Sequence, residues 1–207
     1  ASDVYKRQAL LRNEATIRSG EEVNAFLDII NSATDLENFT MYVPVARSGR
    51  DDGKGVYEWD AKLLSSAMDS GSAVTLQYST DANPTKNKLE GKEDPNGMYV
   101  NAGNIKNWDD VTMIKVIADK IAKDQDISIT AKFKDRAAKT TKGSQEIKVS
   151  GYYSYSLQGS TQLVKGETEP VKITLNDTVI SGYLFVDKNA DGLLALSYTH
   201  LRAHESL

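Results

Sequence analysis

The sequence predicts an all-β protein built as an antiparallel β-sandwich, and three observations carry that prediction. Short runs rich in β-branched and aromatic residues recur between clusters of turn residues. Several of these runs alternate apolar and polar residues at period two, the repeat of a strand with one buried face. Helical spacing is scarce, so the helices that a doubly wound α/β sheet needs between its strands are missing. A two-layer sandwich of immunoglobulin-like type follows, with a closed barrel as the alternative.

The strands are read in chain order. Val23, Ala25, Leu27 and Ile29 alternate with Asn24 and Asp28 and predict a strand, and Phe26 and Ile30 on the opposite face predict cover on both sides. Further strands are expected at Phe39 to Val45, Val56 to Trp59, Val74 to Ser79, Val111 to Ala118, Ile127 to Phe133, Glu146 to Leu157 and Val171 to Leu175. The cleanest alternation sets Ile127, Ile129, Ala131 and Phe133 against Ser128, Thr130 and Lys132, so the first set faces inward. Leu63, Leu64, Ala67 and Met68 have roughly helical spacing and predict a short helical turn within residues 60–70; residues 119–123 could form another. Residues 81–103 contain Pro84, Pro95, Gly91 and Gly97 among Lys, Glu and Asn, which predicts a long surface loop, either a tolerated insertion or a ligand-contacting segment.

Composition narrows the chemistry. With 25 basic and 29 acidic residues among 207, the net charge of −4 gives no broad attraction to nucleic acid or to an anionic membrane. Cysteine is absent, which removes disulfides, thiol nucleophiles and thiolate metal sites.

The ends share no pattern with the chain between them. Residues 1–8, ASDVYKRQ, and residues 196–207, LSYTHLRAHESL, resemble the translated adaptor read-through that flanks many metagenome-assembled reading frames, and they are expected to be non-native. Both histidines, His200 and His204, lie in the second segment at i, i+4 spacing, so that apparent metal pair is set aside. Three basic and two acidic residues go with these ends, leaving 22 and 27 and no histidine. Imidazole acid/base chemistry and His-based triads go with them.

The most specific short motif follows the apolar run Val179 to Val186. Asp187, Asn189 and Asp191 place oxygen ligands at the first, third and fifth loop positions, Gly192 supplies the sharp turn, and the Leu193 carbonyl follows. A hard calcium ion requires this oxygen-rich spacing. The ninth and twelfth positions fall on Ala195 and Tyr198, so the bidentate carboxylate is missing and calcium binding is expected to be weak or absent. A polar Asx-rich turn without metal is the competing reading.

From Thr178 to Gly192 the sequence TVISGYLFVDKNADG resembles the first strand and calcium loop of an SdrD B-like repeat of bacterial surface adhesins. The resemblance implies a calcium-bound β-sandwich module, of which only the start is present, and it carries over to Asp187, Asn189, Asp191 and Gly192 alone. Upstream, Gly20 to Asn31, Leu36 to Pro44 and Trp108 to Val116 look like strands of the conserved-repeat Ig-like sandwich domains that precede such modules in cell-surface proteins. The implied layout is a sandwich domain over 9–176 and a truncated repeat over 177–195, between the two non-native ends.

Three functions follow from these readings. The first is a non-enzymatic extracellular structural or adhesion module on the cell surface or cell wall, whose partner is a host or bacterial surface ligand, carbohydrate or protein. Its contacts would use the 81–103 loop or an aromatic patch at Tyr152, Tyr153 and Tyr155, although Tyr153 and Tyr155 share a strand face and are better read as core. The second is a secreted carbohydrate-binding module or carbohydrate-active enzyme, with Trp59 or Trp108 as a stacking platform and Glu58 with Asp60, or Asp109 with Asp110, as acid and base. Immediate neighbours on a strand point to opposite faces, and the 27 acidic residues left make chance pairs plentiful, so the signal is weak. The third is an intramolecular Lys–Asn cross-link of the kind some adhesin sandwiches carry, for which the abundant Lys and Asn nominate no particular residues.

Overall fold

The computed structural model describes residues 14–31, 34–69, 74–136 and 143–176. All of them belong to the first of two units into which the chain divides, Ala1–Asp177 and Thr178–Leu207. The calcium-loop residues Asp187, Asn189, Asp191 and Leu193, and both histidines, lie outside the described residues.

Thirteen strands form among the described residues: β1 Glu14–Ile17, β2 Glu22–Ile30, β3 Leu36–Pro44, β4 Ala61–Leu63, β5 Met68–Asp69, β6 Thr75–Ser79, β7 Val100–Asn101, β8 Met113–Ile121, β9 Asp126–Asp135, β10 Ser144–Val149, β11 Tyr152–Leu157, β12 Leu163–Glu167 and β13 Val171–Asn176. Three short 3₁₀ turns complete the regular structure, so the fold is all-β, a β-sandwich. One sheet has six strands in the order β12-β11-β3-β8-β6-β7. A second runs β2-β9-β4, with β5 also on β9, and a third runs β1-β13-β10. Every pairing is antiparallel except β1 with β13, which lie parallel from Glu14↔Lys172 to Ile17↔Leu175.

Period two decides what goes inside. Phe39, Met41 and Val43 of β3, Ile114, Val116 and Ala118 of β8, the four alternating residues Ile127 to Phe133 of β9, and Ile147, Ile173 and Leu175 of β10 and β13 share one buried cluster. The smaller sheets thus cover the inner face of the six-stranded sheet. Asp135, at the end of β9, closes the β1–β2 turn by accepting from Ser19 Oγ at 2.8 Å and from Gly20 N at 2.6 Å. Gly20 holds a φ of 83°, a left-handed conformation that suits glycine at this tight corner.

Several expectations are corrected. Of the expected helical turn within 60–70, the described residues 60–69 form none: Ala61 and Leu63 are buried either side of Lys62 in β4, and Met68 pairs with Thr130 in β5. The 119–123 stretch continues β8 to Ile121 before turning through Asp124, which has φ 63°. Val56 to Trp59 is not a strand; Val56 makes only a bridge to Asp51 and is 61% exposed. The run from Glu146 to Leu157 is two strands in different sheets, parted at Ser150 and Gly151. Finally, Phe26 is 59% exposed, so its side of β2 faces solvent.

Candidate functional site

The outer face of the six-stranded sheet carries a buried polar cluster. Register places Tyr152 of β11 beside Tyr42 of β3, Tyr42 beside Lys115 of β8, Lys115 beside Gln77 of β6, and Gln77 beside Asn101 of β7. Register partners share a sheet face, so these five form one row across the sheet. The 80–99 segment lies over this row. Leu89, Met98 and Tyr99 pack with Tyr42 and Met113 as a second small core, which is why β3 from Phe39 to Pro44 and β8 from Met113 to Val116 are buried on both faces.

Asp94 fastens the segment. Its carboxylate accepts from Lys115 Nζ at 2.6 Å, Tyr42 Oη at 2.6 Å, Thr85 Oγ1 at 2.9 Å and Asn87 N at 3.0 Å. The Lys115 and Asp94 side chains are only 7% and 5% exposed. The ammonium also stands 5.7 Å from the Tyr42 ring and 5.0 Å from the Tyr99 ring, within cation–π reach of both. Burial pushes the Asp94 carboxyl up, but the hydrogen bonds from Lys115, Tyr42, Asn87 and Thr85 outweigh it and hold it below the usual carboxylate range. Burial pushes the Tyr42 phenol far above its ordinary value, and its bond to Asp94 adds to the effect; burial followed by the charge of Asp94 does the same to Tyr99.

A second fastening lies beside the first. Arg50 Nε reaches Asp52 at 2.8 Å, and its Nη2 donates to the Val45 and Thr112 carbonyls at 2.9 and 3.0 Å. Asp52 also meets Lys86 Nζ at 3.4 Å, and the Asp52 carbonyl accepts from Tyr152 Oη. Arg47 donates to the Ala46, Ala61, Asp109 and Val111 carbonyls, tying the 45–61 loop to the segment before β8. These cations therefore hold backbone carbonyls and neighbouring carboxylates.

The residues nominated for sugar chemistry are placed differently from that reading. Trp59 is 3% exposed within the main core, so it offers no stacking platform, and its Nε1 has no acceptor. Trp108 is partly buried and meets Tyr78 edge-on at 4.9 Å. Glu58 accepts from the Glu146 backbone N, and Asp60 accepts from Ser48 N at 2.7 Å. Asp109 and Asp110 pair with Lys62 at 3.3 Å and Arg136 at 3.5 Å. Tyr153 and Tyr155 stack with Phe39 against the core, at centroid distances of 6.4 Å for Phe39–Tyr153 and 6.2 Å for Tyr153–Tyr155, in line with their reading as packing residues. The lysine buried among the described residues is Lys115, and it faces a carboxylate, where the cross-link reading asked for an Asn amide.

Sequence reasoning missed Asp94 and Lys115. A signal for Lys115 existed: it is the one charge in the otherwise apolar run Val111 to Ala118, and a cation there must meet an acid or face water. Nothing local marks Asp94, one of several acids in a polar loop.

No protein-family model matches the chain, and no curated protein matches its sequence. Among solved structures it is similar to the major pilin subunit BcpA of Bacillus cereus, at 9% identity and TM-score 0.38 over 83% of this chain and 38% of that chain. It is also similar to a collagen-binding domain from a Staphylococcus aureus adhesin, at 14% identity and TM-score 0.32 over 75% of this chain and 88% of the other. A family 123 glycoside hydrolase from Clostridium perfringens aligns at 11% identity and TM-score 0.30, over 86% of this chain and 25% of the enzyme. The chain thus spans under half the length of the pilin. With every score below 0.5, neither ligand nor activity passes from any of these proteins to this chain.

Proposed function

We propose that the chain is a non-enzymatic structural and adhesion module of a multidomain bacterial surface protein, working outside the cell. The observation that supports this most is the use made of its polar groups. Asp94, Lys115, Arg50, Asp52 and Arg47 are spent on clamping two long loops to a sheet. The acids that could have served catalysis hold backbone amides or surface cations. A loop ordered in advance loses little further entropy on meeting a ligand, so the exposed residues Lys92, Glu93, Pro95 and Asn96 around Asp94 form the contact surface for a protein or carbohydrate partner.

The reading keeps the layout 9–176 for the sandwich and 177–195 for the first part of a repeat, with weak or absent calcium binding at Asp187, Asn189, Asp191 and the Leu193 carbonyl. The test is a panel of extracellular proteins and polysaccharides presented to the full chain, scored for both retention and hydrolysis. Retention that falls on replacing Lys92 and Asn96 by alanine, with melting temperature unchanged, is the expected result. Hydrolysis of any polysaccharide that disappears in Glu58→Gln or Asp60→Asn would overturn the proposal.

A further inference from the structure

The edges of the sheets are guarded unequally. Among the described residues β1, β4, β5 and β7 are four residues or shorter. β10 is met along its outer side by Glu58, whose backbone N donates to the Glu146 carbonyl at 3.3 Å. β12 carries Lys165 and Glu167, tied to Glu90 at 2.8 Å and Lys54 at 2.5 Å. β2 differs. All nine of its residues pair with β9 on one side, no described strand lies on the other, and it contains no proline or bulge. Its outer face exposes Glu22, Asn24, Phe26 and Asp28, with Phe26 the most exposed aromatic residue described. A long, regular edge of this kind is a template for another strand.

The sequence of β2 selects that strand. EVNAFLDII laid antiparallel to its own copy about Phe26 puts Phe26 opposite Phe26, Ala25 opposite Leu27, Asn24 opposite Asp28, Val23 opposite Ile29 and Glu22 opposite Ile30. The central apolar residues meet apolar residues, each Asp28 faces an amide, Glu22 falls opposite Ile30 at the two ends, and no like charges face each other. Lys132, the register partner of Asn24 on β9, adds a cation to the row that Asp28 of the second copy would enter. Shifting the register by one residue would set Asn24 against Leu27 and Ala25 against Phe26, joining residues of opposite faces.

We infer that β2 is a homodimer interface: two copies of the chain join β2 to β2 antiparallel on a two-fold axis through Phe26, fusing two β2-β9-β4 sheets into one. The contact is isologous, as closed dimers require. It goes beyond the adhesive reading and stands whether or not that reading does.

Because the chain has no cysteine, one introduced thiol reports the axis. Opposed residues of an antiparallel pair have Cα atoms about 4.5–5.5 Å apart, within disulfide range. Phe26→Cys is expected to oxidise to a covalent dimer at least about tenfold faster than Val56→Cys, an exposed site outside β2, because pairing raises the local thiol concentration. Sedimentation of the unaltered full chain across the micromolar range is expected to show a dimer, loosened by Asn24→Asp and kept by Asn24→Lys. Far-UV circular dichroism checks that each exposed-face variant is folded. A monomer throughout, or Phe26→Cys cross-linking no faster than Val56→Cys, would overturn the inference.

Discussion

Asp94→Ala should be among the most damaging single changes outside the main core. It removes the acceptor for a lysine whose side chain is 7% exposed and for three further donors, Tyr42 Oη, Thr85 Oγ1 and Asn87 N. Breaking a buried ion pair from one side costs about 3–5 kcal/mol, because the other charge is left without a partner. The Tyr42 and Tyr99 rings still face the ammonium, and a desolvated cation–π contact returns up to about 2 kcal/mol, so the lower end of that range is expected. For a domain of this size each kcal/mol moves the melting temperature by about 2–4 °C, which makes the expected drop roughly 6–12 °C. Lys115→Met should cost less, since Asp94 keeps three donors and the methionine fills the space between the rings. Combining Lys115→Met with Asp94→Leu should recover most of the loss, because an apolar replacement of both partners removes the stranded charge. Urea denaturation of the unaltered chain, Asp94→Leu, Lys115→Met and the double variant gives the coupling energy directly. A cost below about 1 kcal/mol for Asp94→Ala, the size of an exposed pair, would refute the reasoning, as would a double variant no more stable than the single one.

The same carboxyl sets an acid limit. Its folded value lies below the unfolded one of about 3.9, so its contribution is complete above that pH and is lost as pH falls through the unfolded value toward the folded one. Amide protection at Asn87 and Lys88, corrected for the intrinsic exchange rate, should therefore fall on acidification before protection in β9 does, and the difference should vanish in Asp94→Ala. At the alkaline end Tyr42, Tyr57 and Tyr99 are pushed up chiefly by burial, so their contribution is intact below about pH 10 and fades as pH rises past it. Absorbance at the phenolate band should rise in two steps, the second coinciding with loss of β-sheet signal; a single step before unfolding would count against the burial of these rings. Gly166 lies against Tyr153, where an added methyl would overlap the ring that is stacked between Phe39 and Tyr155. Gly166→Ala should cost about 1–3 kcal/mol by denaturant titration, and a neutral result would mean that Tyr153 swings away freely.

The strands with long, strict alternation were legible from sequence, and β9 is the clearest case, because Ile127, Ile129, Ala131 and Phe133 all face the core. Short segments were ambiguous. Between Ala61 and Met68 the apolar residues satisfy both a helical and a strand spacing, and only pairing with β9 decides between them. The split of the 146–157 run was marked in sequence only by the Ser150-Gly151 pair between two strand-forming runs; the break comes from a change of sheet at Gly151, where a Cβ would crowd Met41 and where Thr168 exchanges hydrogen bonds with the Gly151 backbone. The polarity of residues 81–103 placed most of them outside the strands, but it missed β7 at Val100–Asn101 and the packing of Met98 and Tyr99 against the sheet. The fastening of this loop could not be read, because the Asp94–Lys115 pair is 21 residues apart in sequence and depends on which face of β8 the loop crosses. Phe26 was misjudged for a related reason: alternation assigns a residue to a face, but not whether another layer covers it.

The parallel pairing of β1 with β13 has a mechanical consequence. Glu14 lies beside Lys172 and Ile17 beside Leu175, so tension applied between Glu14 and Asn176 drags the two strands lengthwise past each other. The bonds between them lie across the line of force and share the load, so they must rupture together, whereas a hairpin peeled from its open end yields rung by rung. Pulled this way, the sandwich should resist up to a sharp threshold and then give abruptly.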